Sequence, residues 1–129
     1  MGKRATGPYF QATSGLAFGS EGQAIIAVQG WDWFGRYVAL LCALMEEPGA
    51  ELDMTRPSSW ASLARRLDTK EEVLRGFVAF LGREGIADAD SLADGVLALR
   101  LSTEGMRTYQ AAASAGRKAA AARWNKQPD

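Results

Sequence analysis

Residues 58–84, SSWASLARRLDTKEEVLRGFVAFLGRE, carry two helical patterns of apolar residues with a short polar break between them. The first pattern consists of Trp60, Leu63, Ala64 and Leu67. The second consists of Val73, Leu74, Phe77, Val78 and Leu81. Two helices joined by so short a turn have the helix-turn-helix pattern, in which the second helix can enter a DNA major groove. An αα corner in any small helical domain shows the same pattern, so this stretch alone leaves both structures open.

The polar break predicts where the second helix begins. Asp68 and Thr69 interrupt the first apolar pattern, and Glu72 follows Thr69 by three residues. This spacing is that of a capping box, in which threonine and a carboxylate satisfy backbone N–H groups at a helix start. We therefore expect a second helix over residues 69–83.

Composition favours one small domain that works in a reducing compartment. The 129 residues fit a single domain with a modest tail, and 47% hydrophobic residues are enough for a core. The longest apolar run, residues 37–45, is too short to span a bilayer, and no apolar leader opens the chain. The single cysteine, Cys42, lies in the most apolar helix, which predicts a buried structural thiol. The sequence thus predicts a cytoplasmic protein without membrane contact.

Catalysis and metal binding receive no support from the residue types. The chain has no histidine, which removes the commonest general base and the commonest metal ligand. Its carboxylates do not accompany a phosphate loop, a metal motif or a nucleophile elbow. We therefore predict a protein that is not an enzyme and that binds no metal or cofactor.

Charge is balanced overall but unevenly distributed. Fifteen basic and fifteen acidic residues give a net charge of zero, which by itself does not favour nucleic-acid binding. Basic residues gather at both ends of the chain, at Lys3, Arg4, Arg117, Lys118, Arg123 and Lys126. Acidic residues gather in two clusters, Glu46-Glu47-Glu51-Asp53 and Asp88-Asp90-Asp94. A locally basic face on a neutral protein remains compatible with a nucleic-acid partner.

The flanking segments complete a winged helix-turn-helix pattern. Residues 1–19 read as an extended arm, residues 20–29 as a helix that Gly30 ends, and residues 51–54 as a short strand. An aromatic-rich core helix lies between them, with a buried stripe of Trp31, Phe34, Val38, Leu41, Leu44 and Met45. Residues 86–92 and 96–101 read as a hairpin around Asp94-Gly95, and Ser102 or Thr103 caps a last helix. A hairpin directly after a helix-turn-helix is a wing, although a simple lid over the core has the same pattern.

These elements predict the fold class and the division of the chain. The fold is mainly α with a small β-hairpin: a winged helix-turn-helix with a C-terminal helical tail. Residues 1–19 form the N-terminal arm, residues 20–110 the winged-helix domain, and residues 111–129 a basic, alanine-rich helix or tail.

Five segments together resemble a known family. They are PYF near the start, SEGQAIIAVQGWDWFGRYVALLCALMEE, LARRLDTKEEVLRGFVAFLGREGI, LSTEGMRTYQ and SAGRKAAAARWNK. The likeness covers about residues 8–126, and the tail is its most specific part. The segments resemble the N-terminal winged-helix domain of phage and prophage replication-initiation proteins, which are DnaD-like or of the Lin1244/Lin1753 type. The resemblance implies double-stranded DNA as partner and a role in replication initiation or transcription regulation.

The candidate DNA-binding residues fall in three groups. Lys70, Glu71 and Arg75 lie in the N-terminal half of the second helix, where recognition helices contact bases and phosphates. Near the first helix, Arg56, Ser58 and Ser59 are placed to hold a phosphate, supported by Arg65 and Arg66. In the tail, Arg117, Lys118 and Arg123 are placed to follow a nucleic-acid backbone beside Trp124. Solvated surface charges, with Glu71 and Arg75 as an i,i+4 pair, are the competing interpretation.

A second function class also fits the sequence. The same fold can serve as a non-catalytic protein-interaction module that binds a replication or host protein or forms a homodimer through its aromatic helix. The zero net charge is compatible with this function. The acidic residues Asp88, Asp90 and Asp94 in the predicted wing argue against its insertion into a minor groove.

Overall fold

A computed structural model describes residues 15–126 and their side chains up to residue 124. Seven helices and two strands follow one another in this part of the chain. They are α1 (Gly15–Phe18), α2 (Ser20–Gln29), α3 (Trp31–Met45), β1 (Glu51–Asp53), α4 (Pro57–Arg66), α5 (Glu71–Arg83), α6 (Ala89–Ala93), β2 (Val96–Ala98) and α7 (Arg100–Lys126). A 3-10 turn, Pro48–Ala50, joins α3 to β1. The predicted class, mainly α with a small antiparallel β element and a C-terminal helix, is confirmed.

The central element of the core is α3, as its apolar stripe predicts. Its side chains Leu40, Leu41 and Leu44 are fully buried, and they share one cluster with Leu74 and Leu81 of α5. Full burial of a leucine side chain stabilises the fold by roughly 1.5–3 kcal/mol. The helix-turn-helix is therefore attached to α3 by the main hydrophobic core.

An antiparallel ladder of three residues forms the sheet. In its register, Glu51 lies opposite Ala98, and Leu52 lies opposite Leu97. Among residues 15–126, one further bridge joins Ala87 to Leu99, the residue that follows β2. The short strand predicted at residues 51–54 is thereby confirmed at β1, and β1 rather than a hairpin arm is the main partner of β2.

The predicted hairpin of residues 86–92 and 96–101 is wrong over most of its length. Residues 89–93 form α6, because the Asp88 side chain caps that helix by accepting a hydrogen bond from the Ser91 N–H at 3.1 Å. Asp94 and Gly95 turn the chain from α6 into β2, and Gly95 adopts a positive φ of 78° that favours glycine. A short capped helix thus takes the place of a wing tip.

The last helix also begins earlier than its predicted cap. Residues 100 and 101 start α7 instead of ending a strand. Ser102 lies fully buried inside the helix, where its hydroxyl donates to the Leu41 carbonyl oxygen at 3.2 Å. With 27 residues, α7 is about 40 Å long. Its burial against the core ends near Tyr109, so the predicted division between residues 110 and 111 falls within one continuous helix.

Three side chains that the sequence places in the core, Trp31, Val73 and Cys42, lie at the surface, and so does the apolar side chain of Val28. Val28 and Trp31 are more than 60% exposed, at the junction of α2 and α3, and Val73 is 47% exposed. Cys42 is exposed too, so the prediction of a buried structural thiol is wrong. In these helices the apolar pattern is wider than the face that the neighbouring helices cover. The aromatic and β-branched residues at its edge therefore stay exposed.

The N-terminal arm is described only in part. Residues 15–18 form α1 rather than extended chain. Residues 1–14, which include Lys3 and Arg4, lie outside the described residues. The predicted end of α2 at Gly30 is confirmed: its φ is 92°, and its N–H donates to the carbonyl oxygens of Ile25 and Ile26.

Candidate nucleic-acid interface

A residue of the core helix fixes the turn between α4 and α5. The Arg36 guanidinium donates to the Leu67 carbonyl oxygen at 2.8 Å and to the Asp68 carbonyl oxygen at 3.1 Å. It also lies 4.9 Å from the ring centroid of Trp33, which stacks on Phe77 of α5 at 4.4 Å. Because the last carbonyls of a helix lack intrahelical partners, this arginine stabilises the end of α4 and connects the turn to α3.

The start of α5 differs from the predicted capping box. Lys70 is the N-cap residue, and no side-chain cap hydrogen bond forms there. Thr69 instead donates its backbone N–H to the Ala64 carbonyl oxygen at 2.9 Å. Glu71 and Glu72 occupy the first turn, where carboxylates interact favourably with the helix dipole.

The outward face of α5 has small residues at its centre and charged residues around them. It consists of the exposed residues Glu72, Val73, Arg75, Gly76, Ala79 and Arg83. A Cβ atom added at Gly76 would meet no heavy atom within 4 Å, so packing gives no reason for a glycine in mid-helix. A helical glycine costs roughly 1 kcal/mol relative to alanine. The centre of this face therefore lacks side-chain bulk.

Arg75 is held in place by two partners. Its Nη2 atom donates to the Glu71 carboxylate at 3.1 Å, and its guanidinium carbon lies 4.3 Å from the ring centroid of Trp60. The Trp60 indole N–H in turn donates to the Met54 carbonyl oxygen at 3.0 Å. The arginine side chain stays half exposed. The predicted i,i+4 pair is thus present as part of a larger arrangement.

The predicted phosphate-binding residues of α4 lie at its two ends. Arg56 and Ser58 are exposed and Ser59 is half-buried at the helix start, whereas Arg65 and Arg66 lie in the last turn, about 10 Å away along the axis. Arg66 forms a 3.4 Å ion pair with Glu46 at the end of α3. Arg65 therefore lies with Arg66 and not with the three residues at the helix start.

The predicted tail residues lie on a separate helix. Arg117, Lys118, Arg123 and Trp124 are exposed in the distal half of α7. After Glu104, the residues of α7 include five basic side chains and no acidic one. The distal half of α7 is therefore a basic, alanine-rich helix.

Negative charge is concentrated around the sheet. Glu51 and Asp53 of β1 and Asp88, Asp90 and Asp94 around α6 are exposed, and none of them joins an ion pair within residues 15–126. Hydrogen bonds from the Thr55 hydroxyl and N–H lower the pKa of Asp53. We call these five carboxylates the acidic surface. Phosphates are repelled from it, so an approaching nucleic acid would have to meet other faces of the molecule.

Within residues 15–126, no group of three or more His, Cys, Asp or Glu side chains is arranged to hold a metal ion. In the same part of the chain, no helix is long and apolar enough to cross a membrane.

Sequence reasoning missed two residues of this region. Arg36 acts on carbonyl groups more than 30 residues away, and a single sequence contains no signal for such a contact. Trp60 was predicted only as part of an apolar face, because its spacing does not reveal that an arginine one helix later would stack on it.

Comparison with protein-family models, curated proteins and solved structures finds no match to this chain. The resemblance to phage replication-initiation proteins therefore stays a prediction.

Proposed function

We propose that the chain is a DNA-binding protein of phage or prophage origin that presents α5 to the major groove of double-stranded DNA. The outward face of α5 is the observation that carries this proposal. It combines an uncovered N-terminal half, small residues at Gly76 and Ala79, and arginines at Arg75 and Arg83. Recognition helices of helix-turn-helix proteins use their N-terminal residues in this way. The role would be replication initiation or transcription regulation in the cytoplasm.

Phosphate contacts would come from cations that are exposed and lack an ion pair within residues 15–126. Arg56 and Lys70 supply two of them on the helix-turn-helix, and Arg117, Lys118 and Arg123 supply three on α7. Such contacts position a protein on DNA without reading its sequence. Ser58 and the half-buried Ser59 offer hydroxyl donors at the start of α4.

Fluorescence anisotropy with a labelled duplex at 50–200 mM salt tests the proposal. Five phosphate contacts predict a slope of log K against log salt of about −4.5. Arg117→Ala or Arg123→Ala should each reduce the steepness by about 0.9. The matched control is Arg107→Ala, on the same helix but lining a groove with Glu51, Asp88 and Glu104, which should leave the slope unchanged. No binding of any duplex at 50 mM salt would refute the proposal.

A protein-interaction function is the second candidate, and one observation favours it. Val28 and Trp31 are both exposed at the α2–α3 junction, three residues apart in the chain, and Trp31 packs edge-on against Phe34 at 5.8 Å. Exposed apolar residues grouped together mark protein interfaces more often than isolated ones do. Light scattering over a wide concentration range, with wild type and Trp31→Ala, distinguishes a homodimer from a monomer. A mass of 13.9 kDa for the wild type at every concentration would rule out the homodimer.

A further inference from the structure

We propose that Arg75 selects the DNA sequence by reading a guanine in the major groove, and that Trp60 is a positioning residue for it. This inference rests on the proposed DNA-binding function. It names the side chain that distinguishes one DNA site from another, the base that this side chain recognises, and the residue that keeps the side chain ordered.

The contacts of Arg75 leave its recognition edge available. Stacking on Trp60 occupies one face of the guanidinium plane, and Glu71 accepts one hydrogen bond from Nη2. A guanidinium has five N–H donors in its plane, and two parallel donors match the O6 and N7 acceptors of guanine. The exposed half of the side chain can therefore form a bidentate contact without leaving Trp60.

Trp60 is itself fixed, which gives the arginine a defined position. Its indole N–H is bonded to the Met54 carbonyl oxygen, and its ring packs against the main hydrophobic core. An arginine that is already ordered loses less side-chain entropy when it binds. The free protein thus holds Arg75 in one place between α4 and α5.

The other cations of α5 are less suited to base recognition. Lys70 is a point charge at the N-cap and lacks the planar fork. Arg83 lies in the last turn, away from the N-terminal half that enters a groove most deeply. Gly76, directly after Arg75, leaves room for the helix backbone to approach the base edges. These features single out Arg75.

The experiment starts with selection of bound duplexes from a randomised pool by the full chain. The wild type should select a motif with at least one invariant guanine. Replacing that base by 7-deazaguanine, which lacks the N7 acceptor, should weaken wild-type binding by roughly tenfold or more, as expected for a bidentate contact. Arg75→Met removes every side-chain donor that could reach N7, so it should bind both duplexes equally.

A second pair of variants tests the role of Trp60. Trp60→Leu should reduce the ratio of specific to non-specific affinity by roughly two- to fivefold, the effect of losing an exposed cation–π contact. Trp60→Phe, which keeps an aromatic face, should restore most of that ratio. Thermal unfolding of each variant shows whether it is folded, and non-specific affinity should be the same in all of them.

The outcomes separate this inference from the function on which it rests. If the wild type binds DNA and Arg75→Met still selects the same guanine, the inference is wrong and the DNA-binding function stands. The role of Trp60 alone is wrong if Trp60→Leu is folded and keeps the wild-type ratio. If the wild type binds no duplex, both the function and the inference are refuted.

Discussion

Gly76→Ala should change stability and DNA binding in opposite directions. The added methyl group meets no heavy atom within 4 Å in the free protein, and alanine is favoured over glycine inside a helix by roughly 1 kcal/mol. For a chain of 129 residues, this gain corresponds to a rise in melting temperature of about 4 °C. In the DNA complex, the same methyl group would occupy the gap through which the backbone of α5 approaches the bases. An inserted methyl group at a tight contact costs roughly 1–3 kcal/mol, so affinity should fall about tenfold.

Calorimetry gives the melting temperature and anisotropy gives the affinity for this variant. Gly35→Ala is the matched control, because Gly35 is also exposed in mid-helix with nothing within 4 Å but lies in α3. It should gain the same stability and bind DNA like the wild type. Gly22→Ala should instead lose stability, since its Cβ atom would overlap the Leu16 carbonyl oxygen. A stabilised Gly76→Ala protein with wild-type affinity would refute the close approach of α5 to DNA.

Three further predictions concern the body of the domain. Burial, aided by the Glu21 carboxylate, raises the pKa of Tyr37 well above its ordinary value of 10. The neutral phenol therefore stabilises the fold fully below pH 10, and this contribution falls as the pH rises further. Urea unfolding between pH 7 and 11 should show this alkaline loss in the wild type and less of it in Tyr37→Phe. Arg100 joins α2 to α7 through a 2.6 Å ion pair with Glu21, and this pair is partly exposed. Arg100→Ala should therefore speed hydrogen exchange in α2. It should change the free energy of unfolding by only about 1 kcal/mol or less. Cys42 should react with a thiol reagent in the folded protein as fast as in urea, and protection in the folded protein would contradict its exposure.

The sequence was sufficient for the elements whose residues are close together in the chain. The apolar spacing of residues 60–67 and 73–81 predicts α4 and α5, and Gly30 ends α2 in the conformation that favours glycine. Leu63, Ala64, Leu74 and Leu81 are buried as their spacing predicts. In these cases, periodicity and local turn chemistry decide the structure, so no distant contact is needed to find it.

The prediction was wrong where distant contacts or competing local signals decide. Asp94-Gly95 is a strong hairpin signal, but the Asp88 cap creates a helix just before it, and β2 then pairs with residues more than 40 positions upstream. Similarly, serine is a residue type that often caps helices, yet Ser102 is buried against α3 and donates a hydrogen bond to the Leu41 carbonyl oxygen. The contacts of Arg36 and Trp60 in the candidate site could not be predicted either, because they form only between helices that are already packed together.

The acidic surface restricts how this fold could sit on DNA. In a winged helix, the recognition helix and the wing are positioned to approach the same duplex, but here α6 replaces the wing tip and is flanked by Asp88 and Asp94. A second phosphate-binding element would therefore have to come from another part of the chain. The distal half of α7 has the required charge, since no acidic residue follows Glu104 in this helix. If the domain binds DNA, the basic helix would supply the phosphate contacts that the missing wing would otherwise make, and removing it should weaken binding to all sequences alike.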